Sequence, residues 1–253
     1  MRKSVDYDKI ADLYDAVEDV EYDIPFYLNE AKKTDGEILE LMCGTGRLTL
    51  KLLAEGRKVT CLDYSSGMLG KLKKKIEDID NKPHVIYQDV TELEIKKKFD
   101  LIIMPFHSIC QIESQQKQFQ TILKIHSHLK EGGKFICATL NPVVRFRNHH
   151  GIPKVLGKYK YSGELDLIIT EINEYHHVNN SMTGWQFYEF YDHDNILRAK
   201  RYLDIKLKPI FYKVMCEMCK AAGFNIEDVY GDYDYGKFDE EKSQYMVFKT
   251  SKR

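Results

Sequence analysis

The stretch of sequence that decides the fold runs from residue 37 to residue 63 and reads EILELMCGTGRLTLKLLAEGRKVTCLD. Its first apolar run predicts a strand, and the leucines after the glycines have the spacing of one helix face. Gly44 and Gly46 fall between the two, where the backbone must turn tightly beneath a ligand. Asp63 ends a second apolar run roughly 20 residues later, where a carboxylate can accept hydrogen bonds from ribose hydroxyls. The stretch therefore predicts a βαβ unit that binds an adenosine-type ligand.

The glycine turn by itself leaves the ligand open, because nicotinamide-dependent oxidoreductases use the same βαβ geometry. The dinucleotide pattern requires a third glycine, but the corresponding position is Thr49. Glu40, just before the turn, also suits a cationic ligand better than a pyrophosphate. An oxidoreductase remains the alternative that a cofactor titration would decide.

The turn resembles motif I of the class I S-adenosylmethionine-dependent methyltransferases, in which an acidic residue precedes Gly-x-Gly-x-Gly. Glu40, Gly44 and Gly46 match this pattern, whereas Met42 occupies the position of the family's first glycine. The resemblance implies S-adenosylmethionine as cofactor and S-adenosylhomocysteine as product. It also implies that the cofactor contacts Glu40, Met42, Cys43, Gly44 and Gly46.

Later segments resemble the following motifs of the same family, in the expected order. Residues 59–69 are similar to motif II, residues 88–90 to motif III and residues 99–108 to motif IV, where cofactor and acceptor meet. The resemblance implies further cofactor contacts by Asp63 on the ribose, by Tyr64 and Met68 at the adenine, by Asp89 at the adenine amino group, and by Val90, Pro105 and Phe106. In the N-terminal segment, Tyr14 resembles a tyrosine that reaches the cofactor carboxylate; packing of an aromatic helix face is an equal alternative.

The resemblance and the pattern together predict an α/β fold, Rossmann-like and doubly wound, with a mostly parallel seven-stranded sheet. After Pro142 the pattern changes to three stretches rich in aromatic and β-branched residues, at 165–178, 183–191 and 197–208, which predict an antiparallel β insertion after the fifth strand. We expect residues 1–141 and 209–253 to form the cofactor-binding core. Residues 142–208 then form an acceptor lid or dimer element, similar to the lids of glycine N-methyltransferase-like and amino-sugar N-methyltransferase-like enzymes.

Methyl transfer requires little covalent chemistry from side chains, since alignment and exclusion of water supply most of the acceleration. His107 in motif IV is the best candidate for a general base, although a histidine that shapes the pocket is the simpler interpretation. Trp185, Tyr188 and Tyr191 are candidates to bind the acceptor or a cationic amine; cross-strand packing explains them equally well. The histidines at 149, 150, 176, 177 and 193 alternate between faces of an extended chain, so a metal cluster is not expected.

The composition narrows the functional class. A formal net charge of −1 argues against a general polyanion binder, and motif IV lacks the Asn/Asp-Pro-Pro-aromatic pattern of nucleic-acid methyltransferases. The six cysteines lack disulfide spacing, and Cys216 and Cys219 fall within a predicted amphipathic helix. Without a signal-like or membrane-spanning run, we expect a cytoplasmic protein with a small-molecule acceptor, no nucleic-acid or membrane partner, and a possible homodimer.

The sequence therefore predicts an enzyme that transfers a methyl group from S-adenosylmethionine to a nitrogen or oxygen of a small-molecule acceptor by in-line displacement. A protein that binds S-adenosylmethionine without catalysis remains an alternative. The acceptor is left open.

Overall fold

The computed structural model describes residues 4–17, 20–149 and 151–253. In chain order the strands are β1 (Glu37–Leu41), β2 (Lys58–Asp63), β3 (His84–Tyr87), β4 (Phe99–Met104), β5 (Leu129–Leu140), β6 (Lys154–Ser162), β7 (Leu165–His176), β8 (Ser181–Tyr191), β9 (Leu197–Leu207), β10 (Phe224–Tyr230) and β11 (Tyr245–Lys252). The α-helices are α1 (Tyr14–Val17), α2 (Ile24–Ala31), α3 (Arg47–Ala54), α4 (Ser66–Lys75), α5 (Gln115–His128), α6 (Pro142–His149) and α7 (Tyr212–Ala221). Short 3₁₀ turns occupy Tyr7–Lys9, Val90–Glu92 and Ser108–Gln111.

The described part of the chain forms a seven-stranded sheet with the order β10-β11-β5-β4-β1-β2-β3. Strand β11 is antiparallel to both of its neighbours, and the remaining pairs are parallel. Apolar clusters cover both faces of the sheet, as is usual for parallel strands that carry helices on each side. The predicted Rossmann-like fold is confirmed.

A second sheet of four antiparallel strands has the order β6-β7-β8-β9 and follows β5 in the chain, as expected for the insertion. The sequence predicted three strands and missed β6. This strand reads KVLGKYKYS and is exposed at most positions, so it lacks the buried alternate residues that identify a strand. It lies at the edge of the sheet, where lysines discourage pairing with another chain. We call β6 to β9 the insertion sheet.

Tyr7, Ala11 and Tyr14 have the spacing of one helix face, but the N-terminal segment is only partly helical. Of the first 35 residues, those in α1, α2 and the turn at Tyr7–Lys9 are helical among the residues described. Contacts with distant residues hold the segment between these elements: Val5 forms a β-bridge with Ile205, and Leu13 is buried against the insertion sheet. Tertiary contacts therefore override the local helical pattern.

Helix α7 contains the Cys-x-x-Cys pair, as predicted. Cys219 is buried and burial raises the pKa of its thiol to about 12, which is the behaviour of a packed structural cysteine. None of the described helices is long and apolar enough to cross a membrane.

Candidate active site

The motif residues meet at one edge of the large sheet. Strand β1 pairs with β2 on one side and with β4 on the other, and all three run parallel. Their carboxyl ends therefore carry motif I, motif II and motif IV to the same edge. The strand order reverses between β1 and β4, and ligands of open α/β sheets bind at such a switch point.

The glycine loop has an open side and a packed side. Gly44 has φ +57°, and a Cβ built on it would have no described protein atom within 4 Å. Gly46 has φ +86°, but its Cβ would lie 2.4 Å from Cδ1 of Leu72 in α4. Gly44 thus faces the space available to a ligand. The expected contact of Gly46 with the cofactor stays a prediction, because internal packing already explains that glycine.

Met42 shows how the loop tolerates the departure from the glycine pattern. Its φ is +57°, so a residue with a side chain holds the left-handed conformation that a glycine adopts at little cost. The side chain is half-buried and packs against the core cluster on one face of the sheet. Cys43, next along the loop, is buried in the cluster on the other face.

Asp63 joins two loops through its carboxylate. Oδ2 accepts a hydrogen bond from the backbone N–H of Gly44 at 2.8 Å, and Oδ1 accepts one from Ser65 N–H, also at 2.8 Å. Burial raises the pKa of this carboxyl, whereas the backbone donors lower it. A carboxylate has about four acceptor positions, so both oxygens retain capacity for ribose hydroxyls.

The remaining adenine-side candidates surround Asp63. Tyr64 donates its hydroxyl hydrogen to the backbone oxygen of Val5 at 2.5 Å, and Met68 is buried in the first turn of α4. Asp89 is exposed beyond β3, which neighbours β2, and its Oδ1 accepts from Thr91 N–H at 2.8 Å. Val90 is buried below it. The other carboxylate oxygen of Asp89 is therefore available to accept from an amino group. The cofactor contacts of Tyr64, Met68, Asp89 and Val90 remain predictions.

Glu40 lies deeper than its motif suggested. It is 1% exposed, and its Oε2 accepts from the Thr49 hydroxyl at 2.5 Å. Burial raises its pKa to about 7, and the hydrogen bond from Thr49 opposes this effect. Through Thr49 the Glu40 side chain supports the first turn of α3. A direct contact of Glu40 with a cationic ligand stays a prediction.

Motif IV has an unusual backbone at the candidate acceptor site. Pro105 is buried, whereas Phe106 and His107 follow it with φ +55° and +62°. The Phe106 ring centroid lies 4.9 Å from Cζ of Arg47, and Arg47 forms two hydrogen bonds of 2.6 and 2.7 Å to the carboxylate of buried Asp23. These contacts hold the strained segment in place.

His107 is a neutral, packed imidazole. Its ring stacks on Tyr245 with a centroid separation of 5.9 Å and an interplanar angle of 4°. Burial lowers its pKa to about 3, with a smaller effect from the positive charge of Arg145. Nδ1 is buried and has no hydrogen-bond partner among the described residues. The imidazole can therefore bind a polar group, but it is a weak general base.

The candidates in the insertion sheet do not lie on one face. Side chains alternate along β8, and Tyr188 is 3% exposed on the face that packs against Ile10 and Leu13. Trp185 and Tyr191 point to the opposite face, where Trp185 is 38% exposed. A single cage of these three residues is thus inconsistent with the strand geometry.

Tyr14 is half-buried, packs against the same cluster as Tyr188 and meets Tyr7 edge-on at 5.8 Å. Its contact with the cofactor remains a prediction beside this packing role. The next residue, Asp15, accepts hydrogen bonds from the Thr45 hydroxyl at 2.6 Å and from Lys75 Nζ at 2.7 Å. The N-terminal segment therefore touches both the insertion sheet and the glycine loop.

Among the residues that the structure describes, no group of three or more histidine, cysteine, aspartate or glutamate side chains could hold a metal ion. Of the insertion histidines, His150 and the side chain of His149 lie outside the described part of the chain. Sequence reasoning missed Arg47, Arg145, Glu171 and Tyr245, because each gains its role from a partner distant in the chain.

Comparisons with known proteins agree with this geometry. Residues 38–133, which contain the glycine loop, Asp63 and motif IV, match the family described as a methyltransferase domain. Residues 38–133 therefore form a methyltransferase domain similar to those of the class I S-adenosylmethionine-dependent methyltransferases. A malonyl-acyl-carrier-protein O-methyltransferase of Priestia megaterium is 33% identical over 136 residues, 51% of this chain and 47% of that protein. The chain spans about half the length, or less, of this and the next curated relatives.

Solved structures extend the likeness of the fold to the whole chain. The methyltransferase CcbJ of Streptomyces caelestis has a TM-score of 0.82 at 19% identity, covering 100% of both chains. An S-adenosylmethionine-dependent methyltransferase of Clostridium acetobutylicum has a TM-score of 0.79 at 22% identity, covering 97% of this chain and 98% of the other. At this identity the likeness concerns the fold, insertion sheet included.

The residues present fit the family's cofactor, S-adenosylmethionine. The open side of Gly44 leaves room for a ligand against the backbone, and the Asp63 carboxylate beside it retains acceptor positions for ribose hydroxyls.

Proposed function

We propose that the protein transfers a methyl group from S-adenosylmethionine to a nitrogen or oxygen of a small-molecule acceptor. The observation that carries the proposal is the junction of Gly44 and Asp63, where an open loop and a strand-end carboxylate share a hydrogen bond. Motif IV lies across the switch point from this junction. This arrangement supports a cofactor site with a second, polar site beside it.

The cofactor supplies an activated methyl group on a sulfonium, which an acceptor lone pair can attack in line. The protein's own contribution is to orient the partners and to exclude water. Asp63 and the glycine loop would hold the nucleoside end of the cofactor. Phe106, His107 and Tyr245 form an aromatic wall at motif IV. His107 is neutral at physiological pH, so it can form a hydrogen bond but is a poor proton acceptor. The methyl acceptor must therefore reach the site with its lone pair already unprotonated.

The test combines cofactor binding with a label-transfer screen. Wild-type protein should bind S-adenosylmethionine in calorimetry and should transfer tritiated methyl to at least one class among amines, amino sugars, phenols and carboxylates. Binding without transfer to any of them would support a non-catalytic protein instead. Tight binding of a nicotinamide cofactor in place of S-adenosylmethionine would contradict the proposal entirely.

Asp63→Ala is the matching variant, and we expect it to weaken S-adenosylmethionine binding by about 2–3 kcal/mol through loss of charge-assisted bonds. Because Asp63 also joins the two loops, a circular-dichroism spectrum and a melting curve must show that the variant is folded. Asp63→Asn preserves the shape and separates the loss of charge from the loss of support. Exposed Asp78→Asn, in the turn after α4, serves as the control and should bind like the wild type.

A further inference from the structure

The inner face of the insertion sheet carries a polar interruption in an otherwise apolar surface. The apolar residues of this face form a buried cluster with the N-terminal segment; they are Leu167, Ile169, Met182, Phe190, Leu203 and Ile205. In the middle of it stand four residues in two neighbouring cross-strand pairs: Glu171 opposite Gln186 and Asn173 opposite Gly184. We call these four residues the polar notch.

Glu171 and Gln186 of the notch belong to one hydrogen-bonded network. Glu171 is 8% exposed; its Oε1 accepts from Arg145 Nη2 at 3.0 Å, and its Oε2 accepts from Gln186 Nε2 at 3.2 Å. The Tyr188 hydroxyl donates to Gln186 Oε1 at 3.0 Å. Burying such a network in an apolar face is costly and adds little stability by itself.

Asn173 leaves one acceptor unused. It is 5% exposed, and its Oδ1 has no hydrogen-bond partner in the described parts of the chain. The oxygen lies 2.2 Å from where a Cβ on Gly184 would stand, so the absent side chain of Gly184 makes room for it. An unpaired buried acceptor destabilises the fold unless a ligand or water satisfies it.

The notch lies close to motif IV. The residue after β9 is fixed beside motif IV, because Lys208 N–H donates to the backbone oxygen of Cys110, two residues beyond that motif, at 2.7 Å. Leu207 pairs with Met182, and the Gly184–Asn173 pair is two residues further along, about 7 Å at the usual rise of a strand. Arg145, which holds Glu171, also acts on His107 through its charge. His107 Nδ1 is another buried atom without a hydrogen-bond partner among the described residues.

We propose that the polar notch, together with His107, is the acceptor subsite, and that it binds a small hydroxylated amine through the hydroxyl groups beside its reacting nitrogen. Hydroxyl groups both donate and accept, so they can donate to Asn173 Oδ1 and to the Glu171 carboxylate and can accept from the Arg145 guanidinium. The apolar residues around the notch take the carbon skeleton. This inference rests on the proposed methyl transfer and adds the acceptor's place and chemical class.

The test compares matched acceptors that differ only in hydroxyl groups. The probes are 2-amino-1,3-propanediol against isopropylamine, and glucosamine against cyclohexylamine, with tritiated-methyl S-adenosylmethionine. We expect kcat/KM to favour the hydroxylated member of at least one pair tenfold or more. Labelling only of the plain amines, or of no amine at all by protein that binds S-adenosylmethionine, would overturn the assigned acceptor class.

Variants locate the preference. Asn173→Leu keeps the approximate volume but removes the acceptor, so it should reduce the preference at least fivefold, whereas Asn173→Asp keeps an acceptor oxygen and should retain it. Glu174→Gln, on the outer face of the same strand, is the control for Glu171→Gln and should behave like the wild type. Cofactor affinity should be unchanged in all of them. If folded Asn173→Leu and Glu171→Gln keep the preference for hydroxylated acceptors, the acceptor binds elsewhere. If the wild-type protein does not bind S-adenosylmethionine, the proposed function itself is wrong.

Discussion

Met42 holds a left-handed backbone conformation that a glycine would adopt without steric cost. For a residue with a Cβ this conformation costs about 1 kcal/mol or more. The surrounding loop supports it, since Cys43 N–H donates to the Leu62 backbone oxygen at 3.0 Å and the Met42 side chain packs on the core. The loop thus keeps its left-handed conformation at Met42 although the sequence departs from the glycine pattern there.

We therefore expect Met42→Gly to be more stable than Met42→Ala by about 1 kcal/mol, because both lose the packing but only glycine loses the strain. Chemical denaturation of both variants measures the difference. S-adenosylmethionine affinity of Met42→Gly should stay within about threefold of the wild type. Equal stability of the two variants would show that the loop is unstrained at this position, and loss of binding by a folded Met42→Gly would show that the motif I alignment is wrong.

His107 gives a second prediction for a single residue. Because its pKa lies near 3, the imidazole stays neutral from pH 5 to pH 9 and cannot produce an inflection near its ordinary value of 6.5. The pH profile of kcat should follow the ionisation of the acceptor alone. His107→Asn, which tolerates the positive φ, should keep the same profile with a lower kcat. An inflection between pH 6 and 7 that disappears in this variant would identify His107 as a general base.

The site residues divide according to what fixes them. Gly44 and Asp63 could be predicted because a βαβ unit determines their positions within one short segment. Glu171 and Arg145 could not, because their pairing depends on the register of the insertion sheet against α6. Tyr245 likewise reaches His107 only after β11 inserts beside β5. Roles created by distant contacts leave no local periodicity in the sequence.

At the scale of elements, buried strands and amphipathic helices were predictable from periodicity, and exposed edge strand β6 was not. The alternation of side chains between the two faces of a strand also separates the aromatic residues of β8. Tyr188 belongs to the inner face and touches the notch through Gln186, whereas Trp185 belongs to the outer face. The sequence analysis grouped these aromatic residues because the sequence alone does not show which face of the strand is buried.

We expect Tyr188→Phe to raise the KM of the acceptor severalfold, since it removes the hydroxyl that supports Gln186 while leaving the ring in the core. Trp185→Phe is the matched control on the outer face and should leave KM and kcat unchanged. Cofactor affinity should remain within about threefold in both. A larger effect of Trp185→Phe than of Tyr188→Phe would place the acceptor on the outer face.

At the scale of the whole molecule, the N-terminal segment connects the insertion sheet with the cofactor loops. Asp8 Oδ1 accepts from Ser65 Oγ at 2.7 Å and from Gly67 N–H at 2.8 Å, at the start of α4. Arg201 of β9 pairs with Asp12 at 2.8 Å. The stability of the candidate cofactor site and the position of the insertion sheet are thereby linked through one short segment.

The buried carboxyl of Glu40 makes the stability of this assembly dependent on pH. Burial raises its pKa from 4.5 to about 7, so between these values the folded state holds a proton that the unfolded chain releases. The stabilisation from this proton is complete below about pH 4.5 and is lost as the pH rises through about 7. A difference of this size corresponds to about 3 kcal/mol when Glu40 is fully ionised.

Glu40→Gln should remove this dependence while keeping an acceptor for the Thr49 hydroxyl. Relative to the wild type, its free energy of unfolding should increase by about 3 kcal/mol between pH 4.5 and pH 8, as measured by urea denaturation at several pH values. Exposed Glu77→Gln in the loop after α4 is the control and should show no trend. A constant difference between Glu40→Gln and wild type at every pH would mean that Glu40 ionises normally in the fold, through contact with water or with a positive charge nearer than Arg47.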